Sequence, residues 1–279
     1  MDLTIASNAV QPDQPPRLIP QMGKQNTSMS HEASTYEQIA DGIASYAGES
    51  GGDVQRYIVA PAMLEMIGAA NGKEILDLYC GAGYFSRRLA ALGANVTAVD
   101  SSDRLVGIAR EINSRERCTI QYAVAEANDL SVIEDSMFDD IVCNMSLTST
   151  RDLAGTVAAL ARLVKLGGRF IFSIAHPCFS MPDACWIKDP DGKMLYEAVD
   201  NYYAEHWWHS DLAGPVKERN RVKHRTLSTY VNALSARGFN VRRISEPRPT
   251  QEVLTLKPHL AIFERVPAAM VIEAIFPYL

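Results

Sequence analysis

Ile75-Leu76-Asp77-Leu78-Tyr79-Cys80-Gly81-Ala82-Gly83 is the stretch that decides how this chain is read. The apolar run from Glu74 to Tyr79 has the length and composition of a buried strand. Tyr84 to Leu92 carries helical spacing at Phe85, Leu89 and Leu92, so the glycines fall at a strand-to-helix turn. Such a turn lets backbone approach a ligand closely. Asn95 to Val99 reads as a second strand. In a right-handed strand, helix, strand unit its carboxyl end lies beside the first turn. Asp100, seventeen positions after Gly83, is then placed to accept hydrogen bonds from two ribose hydroxyls. The expected ligand is a nucleoside.

The stretch departs from the dinucleotide fingerprint G-x-G-x-x-G, in which three glycines bring a helix amino terminus onto a pyrophosphate. Ser86 stands at the third glycine position, and Asp77 precedes Gly81 by four residues. A carboxylate there would repel a pyrophosphate and suits a ligand carrying a cationic amino group. Asp77, Gly81 and Gly83 match the pattern (D/E)-x-x-x-G-x-G, and at this point the chain resembles the class I S-adenosylmethionine-dependent methyltransferases.

The resemblance implies S-adenosylmethionine as cofactor and can be followed position by position. Asp100, with Ser101 and Arg104 just beyond it, falls at the ribose end of the implied site, and Tyr79 at the methionine end. Glu126-Ala127 occupies the place of the acidic-small pair that meets the adenine, although the family usually has Asp there. Ser136 to Asn144 resembles the entry and body of the fourth strand. Asn144 to Leu147, including Ser146, line the cofactor pocket by analogy. Leu163 to Ser173 resembles a helix end, a Gly167-Gly168 turn and a fifth strand. The implied fold is α/β, a Rossmann-like seven-stranded, mostly parallel sheet with helices on both faces, an N-terminal helical cap and an insertion after strand 5.

Composition is compatible with this and excludes other classes. The chain has 279 residues, 47% hydrophobic and 22% charged, which is ordinary for a globular protein. It has no run of about 18 apolar residues and no basic patch followed by an apolar segment at its start, so a cytoplasmic protein without membrane association is expected. Five cysteines without C-x-x-C spacing point to neither a disulfide framework nor a zinc site. A net charge of −6 argues against a broad nucleic-acid surface. Lys217, Arg219, Arg221, Lys223 and Arg225 alternate strictly. They read either as an exposed edge strand protected by its charges or as a face that meets an anionic substrate.

The chain divides into a mobile tail over residues 1–30, a helical cap over 31–70, a cofactor-binding core over 71–175, an insertion over 176–225 and the last part of the core over 226–279. In the cap, amphipathic spacing predicts helices over Ala33 to Tyr46 and Gln55 to Met66. The resemblance makes Tyr36, Tyr46, Arg56 and Tyr57 candidates for walls of the substrate pocket. The insertion holds all three tryptophans. Trp207-Trp208 either sandwich a planar substrate or build a small core of their own. After the insertion a helix over Leu227 to Ala236, a strand over Phe239 to Ser245, a helix near His259 to Arg265 and a strand near Ala269 to Phe276 are predicted.

The implied reaction is in-line displacement at an activated methyl group, for which alignment and desolvation of the acceptor matter most. An alcohol or phenol gains from a nearby proton acceptor. His176, directly after strand 5, is the leading candidate, followed by His206, His209 and His224, with a hydrogen-bonded wall residue as the competing reading for each. The expected activity is methyl transfer to nitrogen or oxygen of a small organic molecule, for instance a specialised metabolite, by a monomer or homodimer. The alternatives are a cofactor-binding protein or non-methylating catalyst on the same fold, and an NAD(P)-dependent oxidoreductase, which Asp77 and Ser86 disfavour.

Overall fold

The computed structural model describes residues 37, 39–45, 51–116, 119–209 and 221–278. The tail expected over 1–30, the candidates Tyr36 and Tyr46, and Lys217 and Arg219 lie outside the described residues.

Residues 39–45 are helical, and a π-turn, Gln55–Val59, leads into helix α1, Ala60–Ile67. The alternation of units that follows is β1 Glu74–Leu78, α2 Tyr84–Ala91, β2 Asn95–Asp100, α3 Asp103–Glu116, β3 Ile120–Val124, β4 Phe138–Asn144, α4 Leu153–Leu163 and β5 Val164–Ala175. Two hairpins then leave the sheet. The first joins β6 Ala184–Lys188 to β7 Met194–Val199, and the second joins β8 Trp207–His209 to β9 Arg221–Lys223. Helix α5 Leu227–Ser235, β10 Asn240–Ser245, α6 Gln251–Leu256 and β11 Ala269–Ile275 complete the chain.

The main sheet has seven strands in the order β10-β11-β5-β4-β1-β2-β3. β11 runs antiparallel to both its neighbours, and the pairs from β5 through β3 are parallel. Strand side chains alternate between two buried faces. Leu76, Leu78, Phe170 and Phe172 face a cluster with Val157, Leu160, Tyr230 and Leu234 of α4 and α5. Ile75, Val142, Ile171 and Val271 face a cluster with Met63, Ile67 and Leu89 of α1 and α2. Apolar residues at successive strand positions are therefore all buried, as a doubly covered sheet requires. The strand order reverses beside β1, which opens a crevice at its carboxyl end where such sheets take ligands.

Three expectations change. The second half of the cap is part of the sheet's own packing, because α1 buries Met63, Met66 and Ile67 against strand residues. The Gly167-Gly168 turn is a bulge inside β5: Phe138 pairs with Val164, but Asp140 pairs with Arg169, and Gly167 bonds through its N–H to Phe276 O at 2.7 Å. A helix that the sequence did not suggest, α6, precedes the short 3-10 helix Pro258–Glu264.

At the opposite edge from the crevice, Arg169 ties the layers together. Its Nε and Nη2 each donate to Asp140 at 2.7 Å and its Nη1 donates to Glu273 at 3.0 Å. The same guanidinium caps α1 by donating to Met66 O and Ile67 O at 3.1 and 2.9 Å.

Candidate functional site

The two glycines of the turn do different jobs. After β1 the backbone enters the left-handed region at Tyr79, Gly81 and Gly83, with φ of 57°, 55° and 77°. A Cβ on Gly83 would collide with the Tyr122 hydroxyl and stand 3.1 Å from Arg87 Nη1, so this glycine serves close packing. A Cβ on Gly81 would meet no heavy atom of the described residues within 4 Å. Gly81 therefore borders open space among the described residues, with the Cys80 N–H anchored to Val99 O at 3.0 Å.

Asp77 is 1% exposed, and its Oδ2 accepts the Ser86 hydroxyl over 2.6 Å, which fastens the start of α2 to β1. Burial pushes its pKa up to about 7, with a further contribution from the charge of Asp100 and opposition from the Ser86 hydrogen bond. The carboxyl thus shapes the turn through Ser86.

Asp100 lies at the end of β2, also buried. Its Oδ2 accepts the Gly81 N–H at 2.9 Å and its Oδ1 the Ser102 N–H at 3.0 Å. Burial raises its pKa against the backbone N–H groups of Ser102, Gly81 and Ser101, with Glu126 adding repulsion. A carboxylate has about four acceptor positions, so acceptor capacity remains for a hydroxyl. Sequence reasoning missed Glu37, whose Oε2 accepts from the Ser102 hydroxyl at 2.7 Å and brings the amino-terminal segment over this strand end. No motif marks it, because the contact joins residues 65 apart.

Among the remaining cofactor candidates, Ser101 is half-buried at the entry to α3. Arg104 is exposed and bonds Asp41 of the amino-terminal segment through Nη2 at 2.7 Å. Tyr79 is half-buried beside the main core, and Ala127 is buried within it. Glu126 follows β3, half-buried and within electrostatic reach of Asp100. Asn144 ends β4; its Oδ1 accepts from Ser173 Oγ at 3.1 Å and its buried Nδ2 has no hydrogen-bond partner among the described residues. Ser146 Oγ turns back to Asn144 O at 3.1 Å. Open space at Gly81, spare acceptor capacity on Asp100 and an orphaned amide donor on Asn144 together fit a nucleoside with a polar tail.

On the same carboxyl edge, beyond β4 and β5, is a small, shallow cleft open to solvent. Thr148, Pro177, Trp208, His224, Arg225 and Tyr230 border it. Trp207 and Trp208 are both half-buried, and of the two only Trp208 borders the cleft. Arg56 is exposed and stacks on Tyr57, whose ring packs with Ile58, Leu254 and Leu260, so neither residue joins the cleft. Arg225 is 3% exposed and donates to Thr150 O, which corrects the reading of the basic run as one exposed strand face.

The four histidines separate clearly. His176 Nδ1 accepts the Cys178 N–H at 3.2 Å and its Nε2 bonds Glu246 at 2.9 Å. Both ring nitrogens are engaged, so His176 is corrected from proton acceptor to wall residue. His206 and His209 are exposed on the second hairpin. His224 is 4% exposed and its Nε2 lies 2.8 Å from Tyr202 O. A carbonyl can only accept, so Nε2 carries the proton and Nδ1 is left as an acceptor. Of the four, His224 alone combines a place at the cleft with a nitrogen lone pair that no described residue occupies.

Comparison with known proteins agrees with this geometry. Residues 76–172 match the methyltransferase domain family. A ubiquinone biosynthesis O-methyltransferase of Aromatoleum aromaticum is 38% identical over 108 residues, which is 39% of this chain and 46% of that protein. The match thus spans about half the length of that relative. A crystallised S-adenosylmethionine-dependent methyltransferase of Mesorhizobium loti is 28% identical, with a TM-score of 0.67 over 77% of this chain and 96% of its own. The cyclase SpnF shares the fold, with a TM-score of 0.60 and 15% identity over 88% of this chain and 95% of its own. Sheet order, glycine turn and these matches support a class I S-adenosylmethionine-dependent methyltransferase, with the methyltransferase domain over residues 76–172.

Proposed function

We propose that the protein transfers a methyl group from S-adenosylmethionine to a hydroxyl oxygen of a small organic molecule in the cytoplasm. The observation that carries this is the pairing of two features on one sheet edge: the glycine turn at Gly81 beside Asp100, and the cleft bordered by His224, whose Nε2 is held by Tyr202 O. Asp100 would hold the ribose hydroxyls, the Gly81 backbone would let the ligand close in, and Asn144 Nδ2 would supply a donor. When bound, the cofactor supplies an electrophilic methyl on a sulfonium that leaves as a neutral thioether. The cleft residues Pro177, Trp208 and Tyr230 exclude water and align the acceptor, which is where most of the acceleration of such a displacement arises. His224 Nδ1 takes the hydroxyl proton as the new O–C bond forms, while the Nε2–H bond to Tyr202 O holds the ring in place.

Oxygen is favoured over nitrogen because an amine acceptor needs no proton acceptor, and because the curated relatives carry the name O-methyltransferase. The named substrate of those relatives is not transferred to this chain. A second reading, a non-methylating catalyst, is supported by the fold shared with the cyclase SpnF. Incubating the protein with methyl-labelled cofactor and a metabolite extract, with mass spectrometry of the products, tests both. A labelled methyl ether is the expected result, and cofactor binding without any labelled product across a broad phenol and alcohol panel would favour the second reading.

A further inference from the structure

Arg225 is a buried cation with no carboxylate bonded to it among the described residues. One arm of its guanidinium donates to Thr150 O, while the other, Nη1, is buried with no hydrogen-bond partner. Tyr230 is 2% exposed, and its hydroxyl is likewise buried without a hydrogen bond of acceptable geometry among the described residues, although it lies close enough to feel the Arg225 guanidinium. The two belong to one site, since the Arg225 guanidinium carbon lies 6.0 Å from the Tyr230 ring centre and both residues border the cleft. Glu205 feels the charge of Arg225, yet its Oε1 is occupied by Thr226 and Thr229. Leaving a guanidinium N–H and a phenol hydroxyl unpaired in the same buried site is costly, and native proteins rarely do so twice within one cleft without a reason. Lys223 borders the cleft as well, so two cationic side chains line it, with Glu205 as the carboxylate within electrostatic reach of Arg225 and Tyr230 and bonded to neither.

We propose that this cleft recognises a carboxylate on the methyl acceptor, with Arg225 Nη1 and the Tyr230 hydroxyl donating to its two oxygens. The inference rests on the methyltransferase reading and specifies its acceptor. Trp208, on the same cleft wall, offers a flat face to a ring bearing that carboxylate, and His224 Nδ1 stands ready for a hydroxyl on the same ring. The expected acceptor class is therefore a hydroxylated aromatic acid. A site built around paired donors rejects a neutral analogue strongly, because the donors are then left buried and unsatisfied.

The test is calorimetry on the full chain loaded with S-adenosylhomocysteine, titrated with mono- and dihydroxybenzoates and with the matching hydroxybenzamides. The expected result is binding of at least one acid tenfold or more tighter than its amide, with the preference abolished in Arg225→Gln and reduced severalfold in Tyr230→Phe. Tyr230→Phe leaves the Arg225 to Thr150 bond intact and keeps the test valid if Arg225→Gln fails to fold. Equal binding of acid and amide, binding of neither, or a preference that survives both substitutions would overturn the carboxylate site. Failure of the wild-type protein to bind S-adenosylhomocysteine at all would instead overturn the methyltransferase reading, so the two failures are distinguishable.

Discussion

The Ser86 hydroxyl donates to the buried carboxyl of Asp77 across 2.6 Å, joining the first strand to the helix that follows the glycine turn. Because burial holds the Asp77 pKa up to about 7, the folded state keeps a proton that the unfolded chain gives up near pH 4. The unfolded state binds fewer protons between those values, so this group's contribution to stability is full below about pH 4, falls as pH rises toward 7, and levels off above it. Asp77→Asn keeps an acceptor for Ser86 and removes the titration. The expected outcome is a variant whose stability gain over wild type grows from near zero at pH 4 to about 2–4 kcal/mol at pH 8, read from denaturant melts across that range. Binding of S-adenosylhomocysteine is expected to change by less than about fivefold, since the carboxyl acts through Ser86.

Gly81 and Gly83 are expected to respond differently to the same substitution. Gly83→Ala forces a Cβ against Tyr122 and Arg87 at φ 77° and should cost several kcal/mol of stability. Gly81→Ala carries only the left-handed backbone cost, about 1 kcal/mol, because its Cβ meets nothing among the described residues. That Cβ enters the open space beside Asp100, so cofactor affinity should fall at least tenfold. Paired thermal melts and calorimetry check the contrast, and a Gly81→Ala protein that binds as wild type would place the ligand elsewhere.

The glycine turn, Asp100 and the run through β4 were legible because each is a local pattern: an apolar stretch, a turn and an acidic residue at a strand end. The cleft was not. Arg225 was grouped with its alternating basic neighbours, but periodicity does not reveal that β9 ends at Lys223, nor that Thr150, 75 residues earlier, would receive the next guanidinium. His176 ranked above His224 by its position after β5. The contacts that reverse the order, Glu246 to His176 and Tyr202 to His224, are 70 and 22 residues away in the chain. Gly167-Gly168 resembled a turn because the pairing that makes it a bulge comes from Phe276.

Arg169 and Asp140 form a two-point ion pair across adjacent strands, with Lys73 bonding the same carboxylate at 3.0 Å. Asp140 is 1% exposed, so removing the guanidinium leaves its buried charge to Lys73 alone, takes the ion-pair partner from the buried Glu273 and frees the two α1 carbonyls. Arg169→Met is expected to destabilise the fold by about 3–5 kcal/mol, measured by denaturant unfolding. Because this network lies on the sheet edge opposite the crevice, the affinity for S-adenosylhomocysteine measured well below the melting temperature should stay within about twofold of wild type.

His224 and His176 are both buried and lie on the same sheet edge, yet they should behave as opposites. His224→Gln removes the acceptor nitrogen while Gln can still donate to Tyr202 O. Turnover is expected to fall by about 10²–10⁴-fold, with S-adenosylhomocysteine affinity unchanged. His176→Gln disturbs Glu246 and the turn at Cys178 without touching a free lone pair. It should lower the melting temperature by a few degrees and turnover by less than tenfold. A steep loss of turnover in His176→Gln together with unchanged turnover in His224→Gln would reverse the assignment. It would also imply that the His176 to Glu246 pair opens to admit the acceptor.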